Sequence, residues 1–171
     1  MTPQDGVASI ALGLGKSVMG GESSLRFSPK HPHLVPDRST VQDILKNAQR
    51  YFYAVKMGQA ACSIGVDDAV TLARREVFDA LGESPVRTLC STYIPEEGRI
   101  RDSFRPSGSP VVTFYPVLKH GAFPLAELLT DLLRIGEEGM GSPVEMEFCL
   151  NLPNGQDRKP KLAILQLRPM G

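Results

Sequence analysis

Residues 143–170 have the sequence PVEMEFCLNLPNGQDRKPKLAILQLRPM, and this stretch predicts a β-hairpin. The first arm, 144–150, alternates acidic and apolar side chains, and the second arm, 161–168, is an apolar run with two polar residues near its end. Between the arms, the Pro-Asn-Gly sequence at 153–155 is typical of a turn, and the charged residues that follow it are typical of a solvated loop.

Four polar side chains are expected on one face of this hairpin. Period two places Glu145 beside Glu147 on the first arm, and Gln166 beside Arg168 on the second. If the arms pair, two carboxylates face an amide and a guanidinium. Carboxylate oxygens suit Mg²⁺, and the planar fork of arginine suits phosphate oxygens, so the pattern indicates a metal and phosphate site. The alternative, which the pattern alone favours, is an exposed strand face with an ordinary salt-bridge ladder.

A glycine-rich segment lies near the start of the chain, where residues 11–21 read ALGLGKSVMGG. It does not match the phosphate-binding Walker A motif, which needs a glycine where Ile10 stands. It also fits a dinucleotide-binding fingerprint poorly, because Gly13 and Gly15 are followed by Val18 where the third glycine belongs. Taken alone, the segment is equally well explained as a glycine-permitted bend between strands.

Together, the two stretches resemble the ATP-binding domain of phosphoenolpyruvate synthase and pyruvate phosphate dikinase, which is an ATP-grasp fold. That domain typically closes with an acidic-x-Glu-aromatic strand and a Gln-x-Arg strand, as in Val-Glu-Met-Glu-Phe and Leu-Gln-Leu-Arg-Pro here. Its glycine-rich segment usually reads Gly-Leu-Gly-x-x-Val-x-x-Gly. The two stretches occur in the family's order, so the resemblance covers nearly the whole chain.

The resemblance implies ATP and Mg²⁺ as cofactors and assigns roles to six residues. The metal ligands would be Glu145 and Glu147, the cofactor-binding residues Gln166, Arg168, Gly13 and Gly15, and the catalytic residue Arg168, which neutralises phosphate charge. In the family, the phosphoryl group of ATP passes to a histidine on a mobile domain and then to pyruvate. Two features depart from the family: many members have Asp where Glu145 stands, and the loop between the arms is longer here.

The resemblance further implies a single domain over 1–171, the carboxyl-terminal half of an ATP-grasp domain with a mostly antiparallel sheet. The family's first half brings a lysine and an arginine to the phosphates, so this portion alone is expected to be inactive. It is also expected to expose apolar surface and to form homo-oligomers. Two alternatives stay open: a phosphotransferase with another acceptor, and a non-catalytic binding or interaction domain that retains the fold.

Composition limits the classes of partner. The chain has 171 residues with 19 basic and 19 acidic side chains, so its net charge gives no general attraction to nucleic acid or to an anionic membrane. It contains no apolar run long enough to span a bilayer and does not begin like a signal peptide. Cys62, Cys90 and Cys149 are widely spaced and odd in number, which predicts reduced thiols in a cytoplasmic protein.

Periodicity and breaker residues predict the remaining elements. Apolar spacing predicts helices, and short β-branched or aromatic runs predict strands. The predicted helices cover 41–50, 67–81 and 124–138. The predicted strands cover 7–12, 25–28, 51–55, 86–93, 99–102 and 111–115. This mixed order, which ends in a hairpin, predicts an α+β fold with an antiparallel sheet rather than a doubly wound parallel one.

Overall fold

The computed structural model describes residues 5–20, 24–57, 71–153 and 159–170. These residues form a mixed structure of small antiparallel sheets and several helices, compatible with the predicted α+β class. The strands are β1 (Ala8–Ile10), β2 (Leu25–Phe27), β3 (Tyr51–Val55), β4 (Leu72–Glu76), β5 (Cys90–Ile94), β6 (Arg99–Arg101), β7 (Ser109–Val112), β8 (Val144–Asn151) and β9 (Lys161–Pro169). The helices are α1 (Lys16–Met19), α2 (Val41–Asn47), α3 (Ser84–Thr88), α4 (Tyr115–Leu118) and α5 (Leu125–Met140).

The described strands form four separate sheets. β1 pairs with β2, β3 with β4, and β8 with β9, while β5 lies between β6 and β7. Every one of these pairings is antiparallel. The predicted turn at 153–155 lies mostly outside the described residues, as does Cys62. No helix in the described ranges is both long enough and apolar enough to cross a membrane.

One apolar core joins these small sheets. Leu25 and Phe27 of β2 and Val112 of β7 are each 1% exposed, and α5 adds Leu125 and Leu129 to the same cluster. The apolar face of β8 packs against this cluster as well. The terminal hairpin is therefore held to the core by its apolar face, which leaves the opposite face of β8 exposed.

Helix α5 confirms the helix prediction that rested on the clearest apolar periodicity. It begins at Leu125, one residue after the predicted start, and continues to Met140, two residues beyond the predicted end. Gly141 then ends it in the left-handed conformation, with a φ of 67°, and its N–H donates to the carbonyl of Glu137 at 2.9 Å. A glycine tolerates this conformation without a steric penalty, so Gly141 determines where the helix stops.

A second glycine allows α5 and the hairpin to approach closely. Gly136 lies on the helix face that meets β8 and β9. A Cβ at this position would come within 2.9 Å of Cγ2 of Val144 and 3.3 Å of Cδ1 of Leu167. The missing side chain therefore sets the distance between the helix and the hairpin.

The predicted helix at 67–81 is wrong from residue 72 onward. Residues 72–76 form strand β4, and a 3-10 turn over Val77–Ala80 follows. β4 pairs with β3, and the guanidinium of Arg74 lies 3.9 Å from the ring centroid of Tyr51. Backbone hydrogen bonds to a distant strand and this cation–π contact outweigh the local helical spacing. Residues 67–70 lie outside the described ranges.

The predicted strands at 86–93 and 111–115 are each partly correct. Residues 84–88 form the short helix α3, with Pro85 in its first turn, and the strand begins only at Cys90. The other strand, β7, ends at Val112, and α4 follows from Tyr115. Proline is favoured in the first turn of a helix, which explains why α3 occupies the start of an apolar run.

A buried amide connects three parts of the fold. Gln49 is 4% exposed, and its Oε1 accepts a hydrogen bond from the N–H of Leu12 at 2.8 Å. Its Nε2 donates to the carbonyl of Leu12 at 2.9 Å and to that of Tyr51 at 2.8 Å. The backbone of Gln49 also forms an antiparallel bridge with Val112. Gln49 thus ties the segment after β1 to the start of β3 and to β7.

A buried guanidinium reinforces this junction. Arg38 is 6% exposed, and it donates to the carbonyls of Val112 and Asn47, both at 3.0 Å. Burial lowers the pKa of Arg38, because the charged form loses its hydration. The two carbonyls partly replace that hydration, so Arg38 attaches the end of α2 to β7.

We expect Gln49→Ala to lower the free energy of unfolding by about 2–4 kcal/mol, because it leaves buried backbone groups of Leu12 without partners. Gln42→Ala is the matched control, since Gln42 is exposed on α2. Urea unfolding followed by circular dichroism would measure both variants. Equal midpoints for the two variants would show that the Gln49 amide does not connect these parts.

Candidate functional site

The terminal hairpin pairs as the sequence predicts. Glu145 lies opposite Arg168, and Glu147 lies opposite Gln166. Residues directly opposite in an antiparallel pair project from the same face, so these four side chains share one face of the sheet. We call Glu145, Glu147, Gln166 and Arg168 the hairpin patch. All four residues are exposed.

An ion pair orders one end of the hairpin patch. Arg168 donates from Nε at 3.1 Å and from Nη2 at 2.9 Å, and both hydrogen bonds end on Oε2 of Glu145. The hydrogen bond to Glu145, together with the charge of this carboxylate, raises the pKa of Arg168. The two side chains remain 54% and 53% exposed, so the pair can still contact a ligand from solvent.

The second carboxylate of the hairpin patch, that of Glu147, is not held by an arginine. Among the described residues, Glu147 has no hydrogen-bonding or ion-pair partner for its side chain, although its charge also raises the pKa of Arg168. The described ranges contain no cluster of three or more His, Cys, Asp or Glu side chains arranged to hold a metal. A Mg²⁺ ion here would therefore rely on one or two carboxylates and on phosphate oxygens, which is a common arrangement for nucleotide-bound Mg²⁺.

A β-bulge in the second strand separates the polar and apolar parts of the hairpin. Gln166 lies opposite Glu147, but Ile164 lies opposite Phe148, so Leu165 is the extra residue. Strict alternation would have put Ile164 on the same face as Gln166. The bulge moves Ile164 to the face of Phe148 instead. Sequence analysis missed the bulge, and its only signal is the loss of alternation in the run Ala-Ile-Leu-Gln.

The glycine-rich segment packs against a different sheet, β3–β4. Gly13 has a φ of 88°, and a Cβ there would lie 2.7 Å from the carbonyl oxygen of Tyr53 and 3.0 Å from Cβ of Phe52. The next residue, Leu14, donates its N–H to the same carbonyl of Tyr53 at 3.0 Å. Gly13 is thus required by the close contact of this bend with β3, whether or not a ligand binds.

The packing at position 15 does not require a glycine. It precedes α1 with a φ of −58°, and a Cβ at this position would meet no atom within 4 Å. The structure therefore brings the four hairpin residues together and gives the two predicted glycines different environments. Gly13 contacts protein, whereas Gly15 leaves open space above its backbone.

We expect Gly13→Ala to destabilise the chain by more than about 2 kcal/mol, because it combines a left-handed backbone with a clash against β3. Gly15→Ala is the matched control, and it should be neutral or stabilising by up to about 1 kcal/mol. Thermal unfolding would compare the two. A Gly13→Ala variant as stable as the Gly15→Ala variant would contradict the described packing.

Comparisons with known proteins return no similarity that identifies the chain. No protein-family model matches it, and no curated protein and no solved structure gives a significant match.

Proposed function

We propose that the chain is the ATP-binding portion of a cytoplasmic, phosphoenolpyruvate synthase-like phosphotransferase, and that it represents the carboxyl-terminal half of an ATP-grasp domain. The single observation that supports this proposal best is the hairpin patch. Its two carboxylates and its Gln and Arg side chains share one exposed face, as period-two alternation predicts for paired arms. A site for ATP needs such a face open to solvent.

Each residue of the hairpin patch has a role in this proposal. Arg168 neutralises phosphate charge during phosphoryl transfer, and Gln166 contacts a phosphate or the metal. Glu145 and Glu147 are the residues that would hold Mg²⁺, whose positive charge stabilises the phosphate oxygens when it is bound. Glu145 also orients Arg168, because both hydrogen bonds from the guanidinium end on one of its oxygens.

The glycine-rich segment has a smaller role. In this proposal, Gly13 and Gly15 border the nucleotide cleft, and Gly15 suits a close ligand better because open space lies above it. The phosphoryl acceptor, a histidine and then pyruvate in the complete enzyme, belongs to other parts of the protein. A complete enzyme with a different acceptor would use the same patch.

A non-catalytic binding or interaction domain is the second candidate function. The observation that favours it is the ion pair itself, since Glu145 and Arg168 satisfy each other without a ligand. An exposed pair of this kind contributes only about 0–1 kcal/mol to stability. Its loss should therefore leave the fold intact, which allows binding to be tested directly.

We expect the chain to bind ATP in the presence of Mg²⁺, and we expect binding to be lost in the Glu147→Gln, Arg168→Ala double variant. Isothermal titration calorimetry with and without Mg²⁺ would measure this. The double variant removes both the carboxylate of Glu147 and the guanidinium of Arg168, which in this proposal contacts the phosphate.

The matched control is Glu137→Gln with Arg87→Ala, which changes the same charges at exposed positions on α5 and α3. This control variant should bind ATP as the unmodified chain does. Binding that survives in the hairpin variant would exclude the hairpin patch as the nucleotide site. No binding by any of the proteins at millimolar ATP would show that this chain alone is not a working ATP site.

The proposal also includes self-association through apolar side chains around the hairpin. The exposed apolar residues on α5, β9 and the end of the chain are Ile135, Met140, Ile164, Leu165, Leu167 and Met170. Leu165, at the bulge, is 65% exposed. In a complete ATP-grasp domain, such a surface would contact other parts of the protein, and in the isolated chain a second copy can cover it.

We expect light scattering at high concentration to give a mass above the monomer value of 18.6 kDa, because association buries the apolar side chains. Leu165→Lys should shift the mass towards the monomer. Met57→Lys is the control, because Met57 is 92% exposed in another part of the chain. A monomer at every concentration would exclude this surface as a self-association site.

A further inference from the structure

A second polar site lies in the amino-terminal half of the chain, far in sequence from the hairpin. It is a cleft of about 470 Å³ between α1, the end of α2 and the β3–β4 sheet. Its lining residues are Ser17, Lys46, Ala48, Gln49, Arg50, Tyr51 and Arg74. We call it the basic cleft, because three of these residues are cations and none is a carboxylate. None of them belongs to the hairpin patch.

The cations of the basic cleft are not neutralised by nearby acids. Lys46 and Arg50 form no ion pair within the part of the chain that the structure describes. Arg74 stacks on the ring of Tyr51 at 3.9 Å, a contact that engages the face of its guanidinium and leaves the N–H groups at its edge able to donate. Like charges that converge on one cleft repel each other, and an anion between them removes that repulsion.

The carboxylates that are close in sequence to these cations do not line the basic cleft. Asp43 caps α2, where its Oδ2 accepts from the N–H of Thr40 at 3.1 Å and from the hydroxyl of Thr40 at 2.7 Å. Asp37 and Asp43 line a neighbouring cleft of about 700 Å³, which Lys46 also borders, but neither carboxylate lines the basic cleft. Glu76 lies opposite Tyr51 in the β3–β4 register but does not line the basic cleft.

A buried hydroxyl in the wall of the basic cleft has no partner. Ser17 is 1% exposed, and its Oγ makes no hydrogen bond to any described residue. Most buried polar side chains in folded proteins are hydrogen-bonded to protein or to ordered water, so a hydroxyl without a protein partner in a cleft wall is available to a water molecule or to a ligand. A hydroxyl that can donate, in a cleft whose lining includes three cations and no carboxylate, fits an oxyanion better than a cation or an apolar group.

We propose that the basic cleft binds the phosphate group of a small phosphorylated molecule. Lys46, Arg50 and Arg74 neutralise the phosphate charge, and Oγ of Ser17 donates a hydrogen bond to a phosphate oxygen. The cleft volume lies within the range of sites for small molecules. This site goes beyond the proposed hairpin function, since it uses other residues and needs no metal.

The test is a titration of the whole 171-residue chain with inorganic phosphate at low ionic strength, followed by amide chemical shifts. We expect saturable shifts at Ser17 and Tyr51. The Lys46→Ala, Arg74→Ala double variant should weaken phosphate binding about tenfold or more, because it removes two charged contacts. Arg87→Ala with Arg105→Ala is the charge-matched control at exposed positions outside the cleft, and it should leave the affinity unchanged.

Ser17→Ala gives a second, independent readout. It should raise the melting temperature without phosphate by about 2–4 °C, because it removes an unpaired buried hydroxyl. It should also weaken phosphate binding about three- to tenfold, the change expected for one hydrogen bond. A variant that is more stable but binds less well would assign the hydroxyl to the ligand rather than to the fold.

Two results would overturn the proposal. One is the absence of saturable shifts at millimolar phosphate. The other is equal weakening by the cleft variant and by the charge-matched control, which would mean non-specific attraction to the whole surface. In the Glu147→Gln, Arg168→Ala variant, the phosphate-dependent shifts at Ser17 and Tyr51 should persist, because both residues line the basic cleft, so failure at the hairpin patch and failure at the basic cleft remain distinguishable.

Discussion

The side-chain amide of Gln49 is the interaction on which the rest of the structure depends. It is buried, and it satisfies both backbone groups of Leu12 as well as the carbonyl of Tyr51. Only a side chain with a donor and an acceptor can do this. Because Gln49 also bridges to Val112, the glycine-rich segment, β3 and β7 meet at one residue. The sheets that contain β3 and β7 and the segment that follows β1 are thereby connected at one buried residue.

This junction also positions the basic cleft. Gln49 is itself part of the cleft wall, and Arg38 attaches the end of α2, next to Lys46, to the carbonyl of Val112. The cations therefore project from elements whose relative placement is fixed by buried hydrogen bonds. A site on rigid elements holds its charges together at a constant distance, which favours a compact anion over a flexible polymer.

The two polar surfaces of the chain have opposite character. In the hairpin patch, Arg168 is accompanied by two carboxylates, so the local charge is negative and suits a cation together with the phosphates that it carries. In the basic cleft, three cations lie without a carboxylate in the lining, so the local charge is positive. The zero net charge of the sequence thus conceals two surfaces of opposite local charge.

The local periodicity of the sequence was sufficient to predict several of the secondary-structure elements. Alternation predicted the hairpin and one face that carries Glu145, Glu147, Gln166 and Arg168, and the apolar stripe of α5 predicted that helix almost to its end. Tertiary structure decided the rest. Strand β4 forms where spacing predicted a helix, because it pairs with the distant β3. The bulge at Leu165 and the basic cleft are likewise set by contacts between residues far apart in sequence, which no local pattern records.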